Sequence, residues 1–226
     1  IIAVSKYTKQ SIQKHFPKTS LDKIEVVYEG VTQFDATASI EHEQDAIQKP
    51  YFLYVGNAYP HKNLISLLHA FSFFHQIHPE VQLVLAGRED IFYKRLKQEV
   101  QELDLPEDIV KFVMSPSDAE LQNLYQSASL YLFPSLEEGF GLPPLEAMQA
   151  GVPVAASNTS SLPEILGEAA VYFSPHNIED MVSAMESIID DEPLRTQLIA
   201  RGHERVKKYS WKDMATTIMN GYADWT

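Results

Sequence analysis

A chain of 226 residues with 45% hydrophobic and 22% charged side chains has the length and composition of an ordinary globular protein, with enough apolar surface for a sizeable core. Its formal net charge of −13 argues against a protein that wraps duplex nucleic acid, because repulsion from the phosphates opposes counterion release. The absence of cysteine excludes disulfides and thiolate metal sites and fits a reducing compartment, and no apolar run approaches the ~18 residues that mark a membrane span.

The chain opens on Ile1, and "IIAVS" lacks the basic n-region of a signal peptide, so the expected reading is a piece of a longer protein. "IIAVSKYTKQSIQKHF" followed by "KIEVVYEGV" reads as strand, helix, strand. A polar stretch rich in Ala, Gln and acidic residues, "TQFDATASIEHEQDAIQK", then sets a boundary that divides the chain into residues 1–32, a linker at 33–49, and a main unit at 50–226. In the main unit, "YFLYVG" (51–56) is strand-like, and Leu64, Leu67, Leu68, Phe71 and Phe74 recur at helical spacing over 63–78. The alternation continues with strands expected at 81–87, 109–114, 130–135, 152–157 and 169–173, helices at 91–105 and 117–128, a short helix behind Pro143 and Pro144, and a turn at 161–167. From about 177 the pattern is helical only, over 177–190, 193–208 and 211–224. Runs apolar at consecutive positions suit strands covered on both faces. Strict strand, helix, strand order predicts an α/β, Rossmann-like parallel sheet with helices on both faces.

Ligands of such sheets sit beyond the carboxyl ends of the strands, which directs attention to two loops. In "GNAYPHKN" (56–63), Lys62 precedes a helix, so its ammonium and the helix N–H groups are expected to face one anion. In "SLEEGFGLPP" (135–144), Gly139 and Gly141 permit close backbone approach or positive φ. Pro143 suits the first helical position and Gly151 the residue that ends the helix. This loop therefore brings a helix N-terminus to the ligand edge, an anion site suited to a phosphate or diphosphate. Glu146, about one turn into the helix, is placed to accept from vicinal hydroxyls such as those of a ribose, and Glu138 from a second polyol. Two carboxylates flanking a cationic, amide-lined pocket suit a nucleotide joined to a sugar. A glycosidase pair would need no converging lysine and helix terminus. A metal site would need clustered ligands, whereas the eight histidines are scattered and no HExxH spacing occurs.

Taken together, these residues resemble the donor-binding half of retaining glycosyltransferases of family 4, the group 1 set with the two-domain GT-B fold. The resemblance covers nearly the whole chain. "AVSKYTKQSI" with "KIEVVYEGV" looks like the end of the family's acceptor domain, and "YVGNAYPHKNLISLLHAF" looks like "VGxxxPRKNxxxLLxAF". The long segment from "VKFVMSPSD" to "AAVYFSP" contains the family's E-x7-E signature as Glu138 and Glu146.

The resemblance implies that Glu146 holds the donor ribose, Lys62 the diphosphate, the amides around Phe140, Gly141 and Leu142 the phosphate or sugar, and Glu138 the donor sugar near its reacting carbon. Val113, Met114 and Ser115 would line the base. Many members carry arginine where this chain has Asn57 and a second basic residue where it has His61, so Arg88 after "LAG" is expected to assist Lys62; Met114 stands where many have glycine. The implied chemistry is transfer from a nucleoside-diphosphate sugar to an acceptor such as a growing polysaccharide or glycolipid, with a lean toward mannosyl transfer and no metal requirement. Residues 1–32 would be a remnant of the acceptor domain and 211–225 a helix returning to it, with Trp211 and Trp225 on it; this piece alone would transfer little. The enzyme would be cytoplasmic, touching the inner face of the membrane through the missing half. A nucleotide-sugar 2-epimerase and a non-catalytic nucleotide-sugar binding module are the alternatives.

Overall fold

The computed structural model describes residues 1–32, 47, 48, 50–103, 105, 106 and 108–224. The linker expected at 33–49 and Trp225 lie almost wholly outside these. Six parallel strands form the main sheet: β3 (Tyr51–Val55), β4 (Gln82–Gly87), β5 (Val110–Met114), β6 (Leu130–Phe133), β7 (Val154–Ser157) and β8 (Ala170–Phe173). A separate parallel pair, β1 (Ile2–Ala3) and β2 (Glu25–Val26), is joined through α1 (Lys6–His15). The stretch "KIEVVYEGV" therefore contributes a strand of only two residues.

The strand order is β5-β4-β3-β6-β7-β8. From β3 the chain steps outward through α2 (Leu64–Ile77) to β4 and through α3 (Ile91–Glu102) to β5. It then returns through α4 (Asp118–Ser127) to place β6 on the other side of β3, and continues outward through α5 (Leu142–Gln149) to β7 and α6 (Leu162–Leu166) to β8. The direction of winding thus reverses between β3 and β6, and a crevice opens where their outgoing loops part. Successive side chains of a strand point to opposite faces, yet Tyr51, Phe52, Leu53 and Tyr54 are each at most 2% exposed, so helices cover both faces. Two long helices, α7 (Ile178–Ile189) and α8 (Glu192–Val206), pack on α2 and α5 respectively, and α9 (Trp211–Asp224) ends the chain.

Helix starts follow local chemistry. Asp90 caps α3, and Ser117 forms a reciprocal capping box with Glu120 on α4. Pro143 falls at the second helical position of α5 and not the first, because Leu142 opens the helix. The expected turn at 161–167 is the short helix α6 followed by a single 3₁₀ turn.

One carboxylate ties the N-terminal segment to the main unit. The α1 N-terminus has three free N–H donors, and Ser5 Oγ accepts that of Thr8, whereas Glu164 accepts those of Lys6 and Tyr7 at 2.9 and 3.0 Å. Glu164 also accepts the Tyr28 hydroxyl at 2.8 Å. A carboxylate at a helix N-terminus interacts favourably with the helix dipole as well. Further contact is made where Gly30 meets α9, since a Cβ there would lie 2.1 Å from the Trp211 nitrogen; only glycine permits that approach. Replacing Glu164 by Ala strands three donors, and we expect a loss of about 2 kcal/mol in denaturant unfolding, with faster amide exchange at Lys6 and Tyr7. Unchanged exchange at those amides would show that the carboxylate does not anchor α1.

Candidate functional site

Both loops singled out from the sequence arrive at the reversal point, one leaving β3 and the other leaving β6. Lys62 ends a 3₁₀ turn over Pro60–Lys62, and Asn63 follows at φ 58°. This geometry turns Lys62 away from the start of α2 and toward the second loop, where its Nζ lies 2.5 Å from Glu138 Oε1. The two side chains are 14% and 12% exposed, and the ammonium also lies 5.5 Å from the centre of the Phe133 ring. In the free chain the anion that Lys62 faces is thus a carboxylate of the protein itself, across the crevice. The loops are cross-linked as well by Leu136 N–H donating to the His61 carbonyl at 2.7 Å.

The α5 N-terminus lies beside this pair in the chain. Gly141 has φ 104° and an added Cβ would meet Leu162 Cδ2 at 2.9 Å, which bears out the positive-φ reading for this glycine. Gly139 has no such backbone. Pro143 and Pro144 remove two first-turn donors, so the anion-binding capacity of this terminus reduces to the N–H groups of Gly141 and Leu142. Among the described residues these two N–H groups have no acceptor. Phe140 supplies only its backbone to the crevice, because its ring is 4% exposed and packs edge-on against Tyr209 at 5.3 Å. The buried Ser135 hydroxyl, in the same loop, also finds no partner among the described residues.

Glu146 is half-buried on the inner side of α5 and accepts the Tyr125 hydroxyl at 2.9 Å. Burial raises its pKa above the ordinary glutamate value, and the hydrogen bond from Tyr125 opposes that shift. Val113 and Met114 lie at the end of β5, partly buried, and Ser115 follows, exposed, at φ 54°. Two strand spacings separate β5 from β3, about 10 Å. Arg88 and Asn57 are exposed in the loops after β4 and β3, and His61 is exposed beside Lys62. Arg88 forms no ion pair among the described residues, and Asn57 is occupied locally, its carbonyl accepting the Tyr54 hydroxyl and its Oδ1 the Tyr59 N–H. The structure thus pairs Lys62 with Glu138 in the loop that leads to the Gly141 and Leu142 amides, with Glu146 on the helix that follows and Val113 to Ser115 and Arg88 in the outgoing ends of β5 and β4.

Four tyrosines under the crevice escaped the sequence reading. Tyr54, Tyr93 and Tyr131 hold the outgoing backbone: Tyr54 bonds Asn57 O, Tyr93 bonds Gly56 O at 2.8 Å and Ala86 O at 3.1 Å, and Tyr131 bonds Val55 O at 3.2 Å. The fourth, Tyr125, donates to Glu146. Burial pushes the Tyr131 phenol far up, and both Glu138 and Glu146 add to the shift, so this one hydroxyl senses both carboxylates. For Tyr54 and Tyr131, tyrosine among the apolar residues of a strand was the available signal; Tyr93 and Tyr125 lie on the buried faces of α3 and α4.

A second cleft, of about 530 Å³, adjoins Glu138. It runs between α1, through Tyr7, Ser11 and His15, and the loop at Glu137, Glu138 and Gly139, with His61 on its wall. Among the described residues, no group of three or more His, Asp or Glu side chains converges as a metal site would require, and no helix is long and apolar enough to cross a membrane.

The sheet, its reversal point and this set of groups define one half of a GT-B glycosyltransferase fold. The sequence profile of the "Glycosyl transferases group 1" family matches residues 37–205, and the chain belongs to that family. It is 33% identical over 224 residues to O-antigen chain mannosyltransferase RfbU of Salmonella typhimurium, covering 99% of this chain and 59% of that protein. It is 32% identical over 177 residues to O-antigen chain mannosyltransferase B of Escherichia coli, covering 76% and 45%. The chain therefore spans about half the length of these relatives. Among solved structures, sucrose-phosphate synthase from Thermosynechococcus elongatus superposes with a TM-score of 0.82 at 26% identity, over 99% of this chain and 57% of that one. Anabaena HepE, solved with UDP and glucose, shares the fold at 18% identity, with a TM-score of 0.85 over 99% and 62%.

The raised pKa of Glu146 gives a signed expectation. With the folded-state value above the unfolded one, the folded chain binds more protons across that interval, so the Glu146 contribution to stability falls as pH rises through it. Glu146→Gln is therefore expected to unfold at a higher denaturant midpoint than wild type at pH 7, by a margin that narrows toward pH 4. A lower midpoint at pH 7 would refute the assignment of a stability cost to this residue.

Proposed function

We propose that this chain is the donor-binding half of a retaining glycosyltransferase that moves a sugar, mannose by preference, from a nucleoside-diphosphate sugar to a glycan or glycolipid acceptor. The observation that carries the reading is the pair of Lys62 and Glu138 across the reversal point of the sheet, in the loop that leads to the free Gly141 and Leu142 amides. A diphosphate there takes the amides and the ammonium. The sugar beyond it meets Glu138, and the ribose before it meets Glu146. The base then lies along the sheet edge toward Val113, Met114 and Ser115, with Arg88 at the flank. The mannosyl preference is supported by relatives whose names are those of mannosyltransferases.

In the reaction so read, the bond between the anomeric carbon and the diphosphate oxygen breaks while the acceptor oxygen attacks from the same face. Negative charge grows on the departing diphosphate. Lys62 and the two amides, already fixed in place by the folded loops, stabilise that charge without reorganisation at the moment of transfer. They supply the positive charge locally, and the reading requires no metal. The acceptor is taken up by a further domain, against which residues 1–32 and the exposed Trp211, Met219 and Tyr222 of α9 are placed to pack. The chain by itself is expected to bind donor and turn over little of it. An acceptor domain that meets membrane at the cytoplasmic face would bring in lipid-linked acceptors.

Calorimetric titration with GDP-mannose, UDP-glucose and UDP-GlcNAc tests this directly. Wild type should bind one of them saturably, and Lys62→Ala and Glu146→Ala should each weaken that binding by at least about tenfold, or ~1.4 kcal/mol. No heat from any donor at millimolar concentration, or full affinity in the Lys62 variant, would defeat the reading.

A further inference from the structure

The free-state partner of Lys62 bears on what the site releases as well as on what it binds. The backbone of Glu138 is fixed at the crevice from both sides: its N–H donates to Ser160 Oγ at 3.1 Å and its carbonyl accepts from Ser161 Oγ at 3.0 Å. Its carboxylate is almost wholly shielded from water and touches Lys62 at 2.5 Å. Among the described residues neither side chain has another ion-pair partner. A diphosphate that draws Lys62 to itself therefore leaves Glu138 charged, desolvated and unpaired unless the ligand brings donors of its own, and breaking a shielded pair by removing one partner is costly.

An intact sugar nucleotide brings such donors, since hydroxyls of the sugar replace the ammonium at the carboxylate. A nucleoside diphosphate without its sugar brings none to this carboxylate, because its ribose and base lie on the far side of the diphosphate. It also ends in a phosphate whose second ionisation lies near pH 6, so it sets additional negative charge beside Glu138 with one lysine to serve both anions.

We propose that Glu138 discriminates between the intact nucleoside-diphosphate sugar and the free nucleoside diphosphate, so that its pair with Lys62 opens for the donor and re-forms as the product leaves. This proposal rests on the donor-site reading given above. It assigns to Glu138 a specificity role in product release, separate from any contact it makes during transfer.

Calorimetry on the full chain, wild type and Glu138→Gln, with GDP, GDP-mannose, UDP and UDP-glucose, tests it. In Glu138→Gln the cognate diphosphate should bind on the order of tenfold more tightly, while the cognate sugar nucleotide binds equally or less well. The ratio of the two Kd values then shifts toward the product. Glu138→Asp draws the charge back by one methylene and is expected to move the ratio the same way by a smaller factor; thermal unfolding identifies which variants are folded. A wild type that binds no nucleotide overturns the donor-site reading and this proposal together. Nucleotide binding by wild type with an unaltered ratio in every folded variant overturns this proposal alone.

Discussion

All six strands of the main sheet run in one direction, and that single constraint delivers every outgoing loop to one edge. Parallel pairing demands a crossover between neighbours, the crossovers here are helices, and strands buried on both faces leave only their ends for chemistry. The return of the chain through α4 to the far side of β3 separates the loop carrying Lys62 from the loop carrying Glu138 by one strand spacing. Side chains 76 residues apart in the chain thereby reach one another at 2.5 Å.

The precision of that meeting depends on what lies below it. Loop backbone leaving a buried strand must satisfy its polar groups somewhere. In this chain the phenolic hydroxyls of Tyr131 and Tyr54 rise from strands to meet the carbonyls of Val55 and Asn57, and that of Tyr93 reaches the Gly56 carbonyl from α3. These rings are buried and fixed by neighbours, so the loop they hold inherits their rigidity. Ser160 and Ser161 do the same for the second loop from the other side. Preorganisation of the ammonium and amides is thus a property of hydrogen-bonded strand ends, and the electrostatic work expected of the site follows from it.

The groups of the crevice fit their surroundings less well than the core does. Glu146 is an acid whose charged form is disfavoured by burial; Ser135 is a buried hydroxyl without a partner among the described residues, and two first-turn amides of α5 lack acceptors. Unsatisfied buried polar atoms are uncommon in folded proteins; among the described residues two side chains carry one, His75 on α2 and Ser135 in the loop after β6, and only the second lies at the sheet's ligand edge.

Much of this was legible in the sequence. Consecutive apolar runs such as "YFLYV" and "LYLF" announced doubly covered strands because period and burial are coupled, and the residues flanking and opening α5 announced its bounds because proline fixes φ while Gly141 and Gly151 take the positive φ that other residues resist. Family membership was legible too, through Glu138 and Glu146 at their spacing and the "VG" to "KN" segment. What spacing along a chain cannot express is the partner of a side chain. Lys62 reads as a cation beside a helix start, and only the left-handed turn at Asn63 together with the reversal of winding decides that it meets Glu138. Likewise Glu164 is one more acid in a segment that reads as a turn, and only the meeting of α1 with α6 makes it the anchor of two backbone amides and Tyr28. Local order follows from residue-by-residue restrictions that the sequence carries in full, whereas the pairing of distant charges depends on which loops the sheet brings together, and that is settled only once the strands have taken their places.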